Sequence, residues 1–197
     1  MGKVIVGGAD LSDLVGIPYV ASRHPGNVSV DEFLKNPKLG CNCQLLVLGA
    51  LKKAGFYIPS DIRMDEGERF GSQELWADRE WTETIFTAGI GGSLLGFHHY
   101  RGRPFDIFFF SPIEWSGGRK RILQPNEYKR IHVAVYIGKQ VEFAKGRGEC
   151  ILHNATPGPS KIEVISFIAG HYYLLLGVKR PVGRYEKQPT GLISISP

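Results

Sequence analysis

The clearest amphipathic pattern in the chain spans residues 43–54. Leucine and alanine recur there at helical spacing, whereas Lys52 and Lys53 define a polar side and Gly55 follows as a stop signal. The pattern predicts a helix that begins at Cys43. It is the first long helix predicted along the chain.

Shorter helices are predicted at Val30–Lys35, behind a Ser29 cap, and near Ser72–Ala77. The chain before residue 40 is otherwise rich in turn-forming proline and glycine. From 56 to 102 the pattern is irregular, with a segment at 82–87 followed by a glycine cluster. We expect this stretch to be an elaborated loop region that shapes a cleft.

Strand patterns dominate the second half of the chain. They predict strands at Phe105–Phe110, Ile131–Ile137, Gln140–Lys145, Glu149–Asn154, Ile162–Phe167 and Tyr172–Lys179. The connections between them are too short for parallel crossovers, so we expect an antiparallel sheet. A helical half followed by meandering strands predicts an α+β fold, with the helix at 43–54 packed on a central sheet. Residues 181–197 are expected to form a loose tail.

Composition narrows the class of protein. The 197 residues are 43% hydrophobic and 22% charged, which fits one globular domain. The three cysteines do not form the even, widely spaced set of a disulfide-stapled fold, so a reducing environment is expected. Cys41 is interpreted as structural and Cys150 as a core residue. The sequence lacks the paired ligand sets typical of zinc, so a zinc site is not expected.

The formal charge of +5 predicts a cationic surface suited to an acidic partner or polymer. The basic clusters are short and are not interleaved with aromatic residues, so nucleic-acid binding is not expected. No apolar stretch approaches the roughly 20 residues that cross a bilayer, and no membrane association is expected. The apolar run Val4–Val6 is too short for a signal peptide, which favours a cytoplasmic protein or export by a non-classical route.

Cys43 is the candidate nucleophile. As the first residue of the predicted helix it lies beside unpaired backbone N–H groups and at the positive end of the aligned peptide dipoles. Both features favour the thiolate, which is the reactive form of cysteine.

His132 is the candidate base, because it begins the predicted strand that runs to Gly138. Alternation along that strand places His132 on one face and Val133 on the other. If the helix that starts at Cys43 packs on the histidine face, its N-terminus can bring the thiol to the imidazole, and the pair can share a proton.

A third polar group usually fixes the tautomer of a catalytic imidazole. His153, at the end of the next apolar run, is the first choice for this group, ahead of Asn154 and Glu142.

These residues resemble the NlpC-type cell-wall cysteine peptidases, a papain-like family. The family's Asp-Cys-Ser motif and following helix are similar to Asn42–Gly55, and its Pro-Gly-Asp strand is similar to Pro104–Phe110. Its His-Val-Gly-Ile-Tyr-Ile-Gly strand is closely similar to His132–Gly138, and its third position, a histidine, falls on His153. The Pro-Tyr segment upstream of its cysteine resembles Ile17–Tyr19.

The resemblance covers residues 17–180. It implies an N-terminal extension at 1–16, a papain-like catalytic domain at 17–180 and a C-terminal tail at 181–197. The implied fold is α+β, with an N-terminal nucleophile helix packed on a central antiparallel sheet.

The implied activity is amide hydrolysis through a thioester. Cys43 attacks the carbonyl, His132 takes and returns the proton, and His153 orients His132. Tyr19 helps to hold the oxyanion together with the backbone N–H of Cys43. Related enzymes cut peptidoglycan stem peptides, so the implied partners are peptidoglycan fragments or another peptide substrate, and no cofactor is needed.

One departure from the family pattern keeps other functions open. The family's Asp and Ser beside the cysteine, which help to bind the free amine of a stem peptide, are replaced by Asn42 and Gln44, the substrate-binding candidates here besides Tyr19. Their loss motivates an alternative, a degenerate papain-like module that binds peptide or cell wall without cleavage. An acyltransferase of the lecithin:retinol type uses the same site, but its histidines precede its cysteine, whereas here Cys43 comes first.

Overall fold

The computed structural model describes residues 3–58, 72–77, 79, 81–88, 100–116, 119–121, 131–140, 148–156, 158–168, 173–182 and 194–195. All statements about structure below concern these residues.

Two of the described helices begin directly after a residue whose side chain caps them. The described helices are α1 (Val30–Lys35), α2 (Cys43–Lys53), α3 (Ser72–Ala77) and α4 (Ile165–Ile168), with 3-10 turns at Ser12–Leu14 and Pro37–Leu39. The predicted Ser29 cap is confirmed, since its hydroxyl accepts a hydrogen bond from the backbone N–H of Glu32 at 3.1 Å. Asn42 caps α2 in the same way, accepting from the N–H of Leu45 at 2.9 Å.

The strands form one large sheet and two small ones. Their bounds are β1 (Val4–Val6), β2 (Ala9–Asp10), β3 (Thr82–Thr87), β4 (Ile107–Pro112), β5 (Glu114–Ser116), β6 (Arg119–Arg121), β7 (His132–Gln140), β8 (Gly148–His153), β9 (Lys161–Val164), β10 (Tyr173–Pro181) and β11 (Ser194–Ile195). The large sheet has six strands in the order β3-β10-β4-β7-β8-β9, and every neighbouring pair is antiparallel. The predicted α+β class with an antiparallel sheet is therefore confirmed.

Alternation along β4 and β7 buries both faces of the sheet. Helix α2 packs against β7 and β8, on the face that carries Val133 and Val135. The opposite face carries Phe108, Phe110 and Ala134 and is covered by α4. The core thus has two layers, and α2 lies on only one of them.

The ends of the described chain depart from the expected extension and tail. Leu11 and Leu14 are fully buried in the same core as α2. Strand β1 pairs with β11, so part of the expected loose tail at 181–197 lies in a small sheet with the N-terminal segment. Burying apolar side chains of the segment 1–16 ties it to the main core, so the described part of that segment is not a separate extension.

Two predicted elements also differ in detail. The run at Ile162–Phe167 is divided between β9 and α4, and residues 82–87 within the irregular region form β3 at the edge of the large sheet. The predicted strand at Gln140–Lys145 lies outside the described residues except for Gln140, which ends β7. Among the described residues, none of the helices is long and apolar enough to cross a membrane.

Candidate active site

Cys43 is the first residue of α2 and is half-buried, whereas Cys41 and Cys150 are buried. The segment before it is held by a parallel bridge between Tyr19 and Cys41. In this bridge the N–H of Cys41 donates to the carbonyl of Pro18 at 3.1 Å, and the N–H of Val20 donates to the carbonyl of Cys41 at 3.0 Å. The start of α2 is therefore fixed beside the Pro-Tyr segment.

Tyr19 lies close enough to Cys43 to interact with it electrostatically. Its side chain is half-buried, and its hydroxyl is hydrogen-bonded to that of Thr156. Burial raises the pKa of Tyr19, and negative charge on Cys43 raises it further. Tyr19 therefore keeps its hydroxyl proton at neutral pH, as an oxyanion donor must.

Cys41, the other cysteine near the start of α2, has a different environment. It is fully buried, and burial raises its pKa to about 12, although a hydrogen bond from Asn154 acts in the opposite direction. Cys41 is consequently a neutral thiol at physiological pH, in agreement with its interpretation as structural.

The two candidate histidines are in direct contact. Nε2 of His132 lies 3.0 Å from Nδ1 of His153, and the two rings are nearly perpendicular. The side chains are 7% and 2% exposed, respectively. Burial lowers the pKa of His132 well below its ordinary value, and the neighbouring His153 lowers it further. His132 is therefore a neutral imidazole at neutral pH, as a general base must be.

Helix α2 does not pack on the face of β7 that carries His132. The ring of His132 contacts that of Phe110, and α2 packs on the Val133 face instead. Helix α2 packs on that face because the valines and the isoleucine of β7 supply the apolar surface that buries the leucines of α2. The ring of His132 and the leucines of α2 therefore lie on opposite faces of the sheet.

Asn154 joins that end of the sheet to the segment that precedes α2. It directly follows β8 and is completely buried, and its Nδ2 donates to the carbonyl of Cys41 at 2.9 Å and to that of Pro18 at 3.3 Å. Because His153 is its chain neighbour, the histidine pair and the beginning of α2 belong to the same end of the molecule. Asn154 thus positions the backbone and does not contact the ring of His132 in the role of a third group.

Glu163 is a site residue that the sequence analysis missed. Nε2 of His153 lies 2.9 Å from Oε2 of Glu163, and Oε1 of the same carboxylate accepts from Nζ of Lys161 at 2.7 Å. The hydrogen bond from His153 holds the pKa of Glu163 at about 2, with Lys161 adding to the effect against the cost of partial burial. Alternation along β9 places both charged residues on one face, which is the signal that could have found them.

The two predicted substrate-binding residues beside Cys43 have other environments. The side-chain oxygen of Asn42 is used for the helix cap. Gln44 is 1% exposed and its Nε2 has no hydrogen-bond partner among the described residues, so its side chain is not on a surface open to substrate. Its position on the buried side of α2, among leucines, explains the difference.

Glu142, the remaining choice for the third polar group, lies outside the described residues. Across the described part of the chain, no group of three or more His, Cys, Asp or Glu side chains could hold a metal ion.

Comparison with known proteins gave no relative: no family model, no curated protein and no solved structure matches the chain.

Proposed function

We propose that this protein is a cysteine hydrolase that cleaves an amide bond through a thioester, with Cys43 as nucleophile and His132 as base. The observation that carries the proposal is the buried pair of His132 and His153, hydrogen-bonded at 3.0 Å, at the end of the sheet where the chain enters α2. A neutral imidazole held by a second ring, together with a half-buried cysteine at a helix N-terminus, supplies the two groups that an activated thiol requires.

The reaction uses two successive acyl transfers. His132 accepts the thiol proton, Cys43 Sγ bonds to the carbonyl carbon, and the C–N bond breaks as the amine takes the proton from His132. Water then attacks the thioester, and its proton returns through His132 to regenerate the thiol. The backbone N–H of Cys43 and the hydroxyl of Tyr19 stabilise the oxyanion in both steps.

The proposed architecture is papain-like, and the proposed substrate is a peptidoglycan stem peptide cut by an endopeptidase. Both parts rest on the resemblance of the sequence around Cys43 and His132 to the NlpC-type family. A formal charge of +5 supports an anionic substrate such as the cell wall.

Iodoacetamide labelling tests the activated thiol. We expect Cys43 to react below the pH range of an ordinary thiol, and replacing the base in His132→Ala to slow labelling at neutral pH at least about 10-fold, the change for one pKa unit. Cys43→Ala is the control that identifies the labelled residue, because Cys41, with a pKa of about 12, should remain unlabelled. Labelling as slow as that of a peptide thiol, unaffected by His132→Ala, would favour a module that binds without cleavage.

A panel of purified muropeptides, with free and with blocked amino ends, tests the substrate. Mass spectrometry should detect two fragments whose summed mass exceeds that of the substrate by one water, and Cys43→Ala should abolish them. If labelling indicates an active thiol but no muropeptide is cleaved, the cell-wall substrate is wrong while the hydrolase proposal stands.

A further inference from the structure

Glu163 has no part in the mechanism above, although its carboxylate is bonded to the histidine pair. Three neighbouring strands contribute one link each: His132 on β7, His153 on β8 and Glu163 on β9. The successive distances are 3.0 Å between the two rings and 2.9 Å from the second ring to the carboxylate. The contacts form a line, so the position of the proton in one hydrogen bond constrains the position of the proton in the next.

Glu163 determines which nitrogen of His153 carries a proton. The carboxylate is ionised at neutral pH, because its pKa is about 2, and an ionised carboxylate only accepts hydrogen bonds. Nε2 of His153 must therefore be the N–H donor. In neutral His153 the other nitrogen, Nδ1, is then an acceptor.

The same reasoning extends to His132. When His153 is neutral and its Nδ1 accepts, Nε2 of His132 donates across the 3.0 Å contact. A neutral His132 with its proton on Nε2 carries its lone pair on Nδ1. This tautomer can take a proton from a thiol through Nδ1, whereas the opposite tautomer cannot.

We propose that Glu163 is a positioning residue that fixes the proton arrangement of His153 and His132 so that Nδ1 of His132 is the base for Cys43. The inference rests on the proposed function, because it assigns His132 to a thiol. Glu163 also adds a negative charge on the far side of the pair, which stabilises the imidazolium formed when His132 takes the thiol proton.

The surroundings of the pair offer two comparisons. Lys161, on β9 like Glu163, donates to the carboxylate, and Phe110 on β4 covers the ring of His132. Lys161→Met removes the positive charge beside the Glu163 carboxylate but leaves the bond between this carboxylate and His153. Glu163→Gln removes the negative charge but keeps a carbonyl oxygen that can accept from Nε2.

The first measurement is the tautomer of each histidine, from nitrogen-15 shifts of the imidazole rings in the full chain at neutral pH. We expect protons on Nε2 of both rings in the unaltered protein, in Lys161→Met and in Glu163→Gln. In Glu163→Ala we expect averaged shifts for His153, because the acceptor is gone. Protons on Nδ1 of His132 in the unaltered protein would overturn the proposal.

The second measurement is the pH profile of Cys43 alkylation. Glu163→Ala should move the midpoint upward by about one pH unit, which slows alkylation about 10-fold at pH values below it. Glu163→Gln should recover part of this loss and Lys161→Met should show none. A purely structural role would lower the melting temperature without moving this midpoint, and an unmoved midpoint in both folded Glu163 variants contradicts the proposal.

The two proposals fail separately. If no amide substrate is cleaved but the tautomers and the alkylation midpoint respond to Glu163→Ala as expected, the positioning role stands and the hydrolase assignment falls. If cleavage occurs and neither measurement responds, the hydrolase stands and the role of Glu163 falls.

Discussion

Two buried polar clusters lie on the large sheet, and they are built differently. In the first, the Asp106 carboxylate, 1% exposed, accepts from several donors at once. Its oxygens accept hydrogen bonds from the hydroxyl of Tyr100 at 2.7 Å and from the backbone N–H of Arg103 at 2.9 Å. They also accept from Nε and Nη2 of Arg180 at 2.7 and 2.8 Å. In the second, His132, His153 and Glu163 form a line with single contacts between successive side chains.

The difference separates a structural cluster from a candidate reactive one. Arg180 is always protonated, and its bond to Asp106 raises its pKa further, so the protons around that carboxylate are fixed. The histidines can each carry a proton on either nitrogen, and a change at one end of the line can alter the other end. Many donors on one acceptor stabilise the fold, whereas a line of titratable groups can move a proton. Asp106 belongs to the Pro-Gly-Asp-like part of the sequence, and its contacts give that motif a structural role.

The largest effect should come from breaking the Asp106 cluster. Arg180→Met leaves a buried carboxylate without its cation, which should lower the free energy of unfolding by about 3–5 kcal/mol in a denaturant titration. Alkylation of Cys43 in the protein that remains folded should be unchanged. Arg103→Met is the matched control, because its exposed side chain leaves the backbone N–H in place and should change stability by less than about 0.5 kcal/mol. A large change in Cys43 reactivity in Arg180→Met would contradict the separation of the two clusters.

Asn154→Ala should give the next largest effect, because it removes two buried hydrogen bonds, to the carbonyls of Cys41 and Pro18. We expect a loss of about 1–3 kcal/mol and a changed alkylation rate at Cys43, since the segment before α2 loses its tie to β8.

Ser160→Ala is the matched control for Asn154→Ala. The Ser160 hydroxyl is also buried, donating to the carbonyl of Leu14 at 2.7 Å and accepting from the N–H of Ile17 at 2.8 Å. A similar loss of stability with unchanged alkylation is expected. Equal changes in alkylation for both variants would show that the thiol responds to general loosening and not to the Cys41 carbonyl.

Of these two clusters, the histidine line is the one that should make stability depend on mildly acidic pH. The pKa of His132 is lowered in the folded state, so the unfolded state binds more protons as the pH falls below about 6.5, and stability is lost in that direction. The slope should not exceed about 1.4 kcal/mol per pH unit for this one group. Chemical denaturation from pH 7 down to pH 5 measures it, and His132→Asn should flatten the curve. An equally steep curve in that variant would assign the effect to other groups.

Local elements of this fold were more predictable than the contacts between them. The start of α2 at Cys43 and the start of β7 at His132 follow from side-chain periodicity and from a cap that acts over three residues. The strand that contains Glu163 was also expected. Which side chain Glu163 bonds to depends on the register between β8 and β9, and periodicity within one strand does not determine that register.

The face on which α2 packs and the pairing of the chain ends could not be predicted from the sequence for the same reason. Both faces of β7 are buried, so alternation divides its residues into two sets without saying which set meets the helix. Strands β1 and β11 have three and two residues, too few for a pattern, and they are paired across almost the whole chain.

The smallest expected effects come from Asn42, where capping and charge can be separated. Asn42→Ala removes the oxygen that accepts from the N–H of Leu45, which should cost about 1 kcal/mol of stability. Asn42→Asp, which installs the residue of the NlpC-type motif, keeps the cap and adds a negative charge at the helix N-terminus, so stability should be retained. That charge lies next to Cys43 and disfavours the thiolate, so alkylation near pH 7 should slow by up to about 10-fold, the change for one pKa unit. Unchanged alkylation in Asn42→Asp would mean that the helix start does not control the thiol, and Cys43 would then depend on the histidine line alone.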